Sequence, residues 1–559
     1  MEQTGARDRG QDRLTMGTHT SSHAFLSVLA VHGVDRIFEV PGESYIGLLD
    51  AVADFPQIDL VTCRHEAGAG FMACADGRLT RRPGVFMVSR GPGASNASIA
   101  VHTAQQDAIP LILVVGQVPK RDLRREAFQE IDCRAMFGTL AKWVFEVTAP
   151  EQMAEVAYKA VRMATTGTPG PVVISVPEDL QQQPVPRVHW HAQPHDPLRA
   201  SPAGLARVRE LLHTAQRPLI IAGGAFDVPG GREALLAFAQ AWQLPVCVAF
   251  RRHDLFPNQH PLFVGDLGLA NPSHQMALFQ GSDLILALGT RLDDITSQNF
   301  TFPHHPQPTQ PLVHCYPDPR VVGLHFATEV GLPCQPKGLV EELTPDVDAI
   351  CPASWAEWAK QLRGMHEQIA AWPQRDAKDG VRFSEVVRHL RALAPSDLRV
   401  CLDAGTFAAP VYRHFGFEPT QRLMAPLSGA MGYGTPAAVA TALREPQHRV
   451  VCMVGDGGFM MTGNEMILAV ERRLPIVFIL ANNGSYASIR IHQDRAYKTR
   501  HPGTDLYNPD FAAMARGFGM AVDVIAHEDA IEATLRRALQ SQGPHFIEVK
   551  ASLRVSLPD

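Results

Sequence analysis

The chain has 559 residues, too many for one hydrophobic core and enough for about three or four domains of ordinary size. An apolar fraction of 45% and a formal net charge of −6 describe an ordinary globular protein with no basic face, which argues against a nucleic-acid partner. No apolar run approaches the roughly eighteen residues that span a bilayer, and the nine cysteines form no C-x-x-C pair, so a cytoplasmic protein with reduced thiols and no membrane association is expected.

Residues 1–19 are polar, lack an apolar core of the secretory kind, and read as a disordered leader. Residues 20–185 alternate apolar runs (IDLVTC, GVFMVS, PLILVVG, GPVVISV) with helical stretches such as EAGAGFMACADGRLT, the pattern of a parallel α/β layer. A stretch rich in Pro, Gln and His without periodicity follows, and a linker is placed at 186–203. Residues 204–345 repeat the α/β pattern with RPLIIAGG, LPVCVAF, SDLILALG and PLVHCY, and an irregular second linker is placed at 346–380. Residues 381–559 carry LRVCLDAG, RVVCMVGDGG, LPIVFILANN and PHFIEVK. The fold expected is α/β, three doubly wound parallel-sheet domains.

The last segment carries the densest chemistry, in VVCMVGDGGFMMTGNEMILAVERRLPIVFILANNGSY, residues 450–486. RVVCMV reads as a strand, NEMILAVERRL as a helix broken at Pro475, and IVFILA as the next strand. Both strands of such a unit run the same way, so Asp456 and Asn483 reach the same carboxyl edge, where α/β sheets bind ligands. One carboxylate and one amide oxygen suit Mg²⁺, which fills its octahedron with water and phosphate oxygens. Gly455, Gly457 and Gly458 let bare backbone amides approach a diphosphate. Taken singly, G-D-G and N-N-G are common turn chemistry; joined by one strand–helix–strand unit they read as a metal–diphosphate site.

G-D-G, twenty-four residues, then N-N resembles the fingerprint of thiamine-diphosphate-dependent enzymes. The resemblance implies that Asp456, Asn483 and the main-chain carbonyl of Ser485 hold Mg²⁺. It implies that Glu66, just past LVTC and opening a helix, touches the aminopyrimidine. There it would share a proton with N1′ and favour the imino form that deprotonates thiazolium C2, with burial raising its pKa. Alone, a glutamate on a first helical turn is explained by the helix dipole. SGAMGYGTPAAVATAL resembles the segment that bends the cofactor, with Met431 as the apolar prop and the Gly429 carbonyl accepting from the 4′-amino group; alone it is a glycine turn with a core methionine. Gly405, closing LDAG, fits the other loop around the diphosphate. The resemblance covers about residues 20–550 in the order pyrimidine-binding, central Rossmann-like and diphosphate-binding domain. It implies a homodimer or homotetramer in which Glu66 of one chain meets Asp456 of another.

Within the family, VPGESYIGLLDAV, SRGPGASNASIAVHTAQQDAIPLILVVGQVPK and REAFQEID are most similar to acetolactate (acetohydroxyacid) synthase large subunits. Phe128, Gln129 and Glu130 stand about where pyruvate decarboxylases carry a histidine pair. Gln129 matches a glutamine that lines the synthase site, and is otherwise a polar helix-end residue. Ser488 and His492 replace the synthases' Met and Trp. Thr168 and Glu178 replace an Arg and a Lys that help hold flavin, so FAD is doubtful, although IIAGGAF and LGTRLDD keep the outline of a flavin-binding domain. Glu43, in VPGESY, stands where synthases have glycine and, by resemblance, over the reacting carbon. As an anion it would repel an incoming carboxylate; as a neutral acid it would donate a proton; otherwise it is a solvated loop acid. The expected function is thiamine-diphosphate- and Mg²⁺-dependent cleavage or ligation of 2-oxo acids or related ketones, with an aldehyde or ketone acceptor, and not plain acetolactate synthesis. Benzoylformate-type 2-oxo acid decarboxylation is one alternative. A non-catalytic cofactor-binding regulator is another, against which the presence of Glu66 argues.

Overall fold

All twelve apolar runs read from the sequence form strands, and six further strands join them among the described residues. The structure, a computed structural model, describes residues 19–192, 196–344, 353–373, 376–497 and 500–555. The first sheet comprises Arg36–Glu39 (β1), Asp59–Thr62 (β2), Gly84–Val88 (β3), Leu111–Gln117 (β4), Trp143–Glu146 (β5) and Pro171–Pro177 (β6), in the order β2-β1-β3-β4-β6-β5. The central sheet comprises Pro218–Ala222 (β7), Val246–Val248 (β8), Phe263–Asp266 (β9), Leu284–Leu288 (β10), Leu312–Cys315 (β11) and Val330–Leu332 (β12), in the order β12-β11-β10-β7-β8-β9. The third comprises Arg399–Leu402 (β13), Arg422–Met424 (β14), Val450–Gly455 (β15), Ile476–Asn482 (β16), Ala521–Ile525 (β17) and His545–Lys550 (β18), in the order β14-β13-β15-β16-β18-β17. Every pair is parallel.

Counted within each domain, the first and third sheets share one topology, whereas the central sheet has the doubly wound order of dinucleotide-binding folds. Inner strands such as β4 and β6 are buried along their whole length, because helices cover both faces of a parallel sheet and leave no polar side to alternate with.

The first and third domains share a core. Helix Glu66–Thr80 lies against helix Gly434–Arg444, and Phe71 meets Tyr433 edge-on at 5.6 Å between ring centres. Arg444 pairs with Asp35 (2.7 Å) and Asp76 (2.8 Å), while Asp107 accepts from the amides of Leu427 and Ser428 (both 2.8 Å). The turn after β14 is therefore fixed from the first domain.

One stretch differs from its sequence reading. Within the irregular 346–380, Ala353–Ala370 is a helix, and its Trp355 and Trp358 are buried in the central domain, donating to the carbonyls of Ala215 (2.9 Å) and Pro218 (3.0 Å). Trp355, Trp358, Leu362 and Met365 recur at helical spacing, a stripe that neighbouring prolines and charges obscure. Among the described residues no helix is long and apolar enough to cross a membrane.

Candidate active site

β15 and β16 pair in register from Val450↔Ile476 to Gly455↔Ala481, so Asp456 and Asn483 leave the third sheet at the same carboxyl edge. Asp456 is only 2% exposed. Its Oδ1 accepts from the Gly457 amide (2.9 Å), and its Oδ2 from the Gly484 amide and Asn508 Nδ2 (both 2.8 Å). Burial raises its pKa, and these hydrogen bonds oppose the rise. Among the described residues no arginine, lysine or histidine pairs with it. A buried carboxylate surrounded by N–H donors and lacking a cation fits a metal ion. The Asn483 side-chain oxygen, which accepts from the Ser485 amide (3.1 Å), and the Ser485 carbonyl supply the other donors nearby. One carboxylate, one amide and one carbonyl make an incomplete cage, suited to a hard ion completed by phosphate and water. Among the described residues no cluster of three His, Cys, Asp or Glu could hold a metal by itself.

The glycines keep this edge bare. A Cβ on Gly457 would lie 2.3 Å from the Tyr486 ring, and one on Gly458 3.1 Å from the Asp403 carboxyl carbon. Asp403, which motif reading passed over in LDAG, is fully buried and accepts from the amides of Ala404 (2.6 Å), Gly432 (3.0 Å) and Gly434 (3.3 Å). Burial pushes its carboxyl up to about 6, against those hydrogen bonds. Through it, the Gly405 loop, the turn bearing Gly429 and Met431, and the G-D-G turn beside Gly455 become one unit. Gly429 needs a positive φ (+70°) and has open space where a side chain would stand; Met431 is half-buried beside it. Asn508 is a second residue the motif did not reveal. It bridges Asp456 and the Asn482 side chain (3.0 Å), and Asn482 donates to Glu548 (2.7 Å), so the first asparagine of the pair braces the sheet while the second stands just past the strand end.

The carboxyl edge of the first sheet gathers the other predicted residues. Glu66 opens its helix after β2, half-buried, and accepts from Asn96 Nδ2 at 2.9 Å. Behind it lies Glu465 of the third domain, fully buried, whose carboxylate accepts from the amides of Arg64 (3.0 Å) and His65 (2.9 Å). A Cβ on Gly68 would fall 2.4 Å from that carboxylate, so the close seat needs glycine. Burial pushes Glu465 up to about 7, the two amides opposing. Glu43 opens a short turn after β1 and pairs with Arg90 (2.9 Å), which also takes Glu178, beyond β6, at 3.1 Å. Gln129 is half-buried at φ +61°, with its carbonyl against Gly91, where a Cβ would lie 2.6 Å away. Glu43, Glu66 and Gln129 thus share one edge, and Gly405, Gly429, Met431, Asp456, Asn483 and Ser485 another. Among the described residues no hydrogen bond or ion pair joins these two sets. Ile99 and Phe128, from the loops and helix of the first edge, and Met460 and Met461, just past G-D-G, are exposed.

The central sheet reverses its strand order between β7 and β10, and a crevice lined by Gly224, Gly289, Arg291 and Arg252 opens there. The Arg252 guanidinium lies 2.9 Å from where a Gly224 Cβ would stand; Arg252 is buried, and its guanidinium has no hydrogen-bond or ion-pair partner among the described residues. Burial, with Arg78 nearby, lowers it to about 10. This cation fits a phosphate-bearing group. Thr168 is committed elsewhere, its amide and hydroxyl both donating to Asp318 (3.0 and 2.9 Å).

Three family models match the chain in sequence order. They are the thiamine pyrophosphate enzyme N-terminal TPP binding domain over residues 19–136, the central domain over 205–343, and the C-terminal TPP binding domain over 403–549. The chain is 30% identical over 559 residues to the acetolactate synthase large subunit of Parasynechococcus marenigrum, covering 97% of this chain and 89% of that protein. It is 28% identical over 524 residues to acetolactate synthase isozyme 2 large subunit of Escherichia coli, covering 93% of each. A probable acetolactate synthase large subunit of Methanocaldococcus jannaschii is 27% identical over 555 residues, covering 96% of this chain and 93% of that protein.

Proposed function

The chain belongs to the thiamine pyrophosphate enzymes, and on that premise we propose that it is a Mg²⁺-dependent carboligase that breaks a 2-oxo acid and joins the fragment to an aldehyde or ketone. The observation that carries this reading is Asp456, a buried carboxylate without a cation, sharing one strand edge with Asn483 and Ser485. Those three would hold Mg²⁺ against the diphosphate, with Gly455, Gly457 and Gly458 leaving the backbone bare and Gly405 closing the other side. Met431 and the Gly429 carbonyl would seat the pyrimidine. Bound thiamine diphosphate supplies the electron sink that makes the bond between a 2-oxo acid's carbonyl and its carboxylate breakable. Glu66, oriented by Asn96 and supported from behind by Glu465, would hold and return a proton at the pyrimidine edge. Gln129 would line the substrate side.

Glu66 and Asp456 stand on separate edges of one chain, and exposed Ile99, Phe128, Met460 and Met461 flank them. The reading is therefore a homodimer, or a pair of them, whose site is completed by the first edge of one chain and the third edge of its partner, in the cytoplasm. Plain acetolactate synthesis is not part of it, because Glu43, by the resemblance of its loop, would place a carboxylate where a second 2-oxo acid would bring its own. Nor is a flavin: Arg252 answers a phosphate, but Thr168 and Glu178 are engaged with Asp318 and Arg90. The test is incubation of the Mg²⁺ and thiamine diphosphate-loaded protein with a panel of 2-oxo acids, with and without aldehydes, reading CO₂ and ligated product together. Release of CO₂ with ligated product is expected. No CO₂ from any donor contradicts the reading.

A further inference from the structure

Arg90 is an unusual residue on the first edge. Its side chain is 9% exposed, and each terminal nitrogen takes a different carboxylate, Glu43 at 2.9 Å and Glu178 at 3.1 Å. Its Nε is buried without a partner. The backbone around the clamp is fixed as well. The Arg90 amide donates to Ser44 Oγ (3.3 Å), that hydroxyl lies 3.2 Å from Ser89 Oγ, and a Cβ on Gly42 would strike Ser89 at 2.6 Å. Glu43 is thus held at both ends, by its own turn and by the guanidinium. It is still the open member of the set, with 67% of its side chain exposed against 34% for Glu178.

The clamp and the proposed proton-handling acid are built on the same piece of chain. Arg90 stands immediately before helix Gly91–Asp107, and less than two turns into that helix Asn96 holds Glu66. Gly93 lies between them, close enough to Glu66 that a Cβ there would be 3.5 Å from its Oε1. Glu43 and Glu66 are thus held from one helix and the residue before it, at one carboxyl edge.

Charge decides what the exposed Glu43 accepts. Two carboxylates and one guanidinium leave one negative charge. The guanidinium, whose fork would otherwise grip a carboxylate, has both terminal nitrogens committed. We infer that the Glu43–Arg90–Glu178 clamp selects the acceptor, taking an uncharged hydroxylated aldehyde or ketone whose hydroxyl donates to Glu43, and turning away an acceptor that carries a carboxylate. The inference rests on the carboligase reading and specifies the acceptor of that same site. Arg90 is a positioning residue in it, holding Glu43 in place, and Glu178 keeps Arg90 from serving as a carboxylate receptor.

Two unreactive probes of nearly equal shape test the clamp: propane-1,2-diol, which is neutral, and lactate, which carries a carboxylate. NMR titration of the loaded protein should give tighter binding of the diol by at least about tenfold, the ratio one close charge readily commands. Glu43→Gln should shrink that preference by about tenfold. Arg90→Lys, which keeps the charge but loses the fork, should weaken it less. With pyruvate as donor and glycolaldehyde or pyruvate as acceptor, the same variants should shift the acceptor KM and leave the donor KM in place. An unchanged diol-to-lactate ratio in Glu43→Gln would overturn the inference. So would a raised donor KM with intact acceptor preference in Arg90→Lys, which would make Arg90 a receptor for the donor's carboxylate. Absence of CO₂ release from every 2-oxo acid would instead sink the carboligase reading, while the binding ratio would still report on the clamp.

Discussion

The first and third sheets run their strands in the same spatial order and both gather polar residues at the carboxyl edge, yet the two edges are made differently. At the third, Asp403 and Asp456 are buried and held mainly by main-chain amides, Asp456 with the Asn508 side chain added, and glycines stand where side chains would intrude. At the first, Glu43 and Glu66 are partly exposed and held by side chains, Arg90 and Asn96. Topology sets where chemistry can gather, and the kind of holding sets what it can do. Amide-held buried acids are rigid and dry, which suits an ion and a diphosphate that never change. Side-chain-held acids can be retuned by one substitution, which suits substrates that differ from one family member to the next.

The largest expected effect breaks the third edge. Asp456→Ala should abolish retention of thiamine diphosphate, read by isothermal titration, with the circular dichroism spectrum unchanged. Retention at wild-type strength would show that the buried carboxylate is not the metal's anchor. The first edge should fail differently. Glu66→Gln removes no metal ligand, so the cofactor should still bind, while exchange of its C2 proton in D₂O slows by at least about a hundredfold. Unchanged exchange would leave Glu66 a capping residue only. If both substitutions abolished binding, the division of labour between the edges would be lost.

The smallest effect sharpens the contact between the edges. Glu465 is raised from 4.5 to about 7 by burial, so between those values the folded chain keeps a proton that the unfolded chain has released. Fewer protons bound in the unfolded state means stability falls as pH rises through that window, and the loss is complete above the folded value. Asp403, pushed up to about 6, adds the same sign over a lower range. Thermal unfolding of the metal-free protein should therefore move to lower temperature from pH 5 to pH 8, and Glu465→Gln should flatten the slope without removing it. An identical slope in the variant would place the pH dependence elsewhere.

What could be read from sequence divides along similar lines. The inner strands β4, β6, β10, β15 and β16 are plain because burial on both faces demands unbroken apolar runs. Five of the six strands that were missed, β5, β9, β12, β14 and β17, are sheet edges, short or partly exposed, where one neighbour and one covered face leave a weak pattern; the sixth, β1, has four residues. G-D-G and N-N were legible because backbone approach and metal ligation need particular residues at fixed offsets. Asp403, Asn508 and Glu465 were not, since each acts through contacts with segments distant in sequence. Glu43 was legible as an oddity, but only the fold shows that Arg90 and Glu178 hold it.

The claim that joins these observations is that one site is completed by the first edge of one chain and the third edge of another. A two-chain assembly with different affinity tags, one chain carrying Asp456→Ala and the other Glu66→Gln, tests it most directly. If the site is shared across chains, one site in the mixed dimer receives both substitutions and its twin receives neither. The mixed dimer should then release CO₂ at about half the wild-type rate, while each parent homodimer stays near zero. A mixed dimer as inactive as its parents would mean that each chain completes its own site, and would contradict the account.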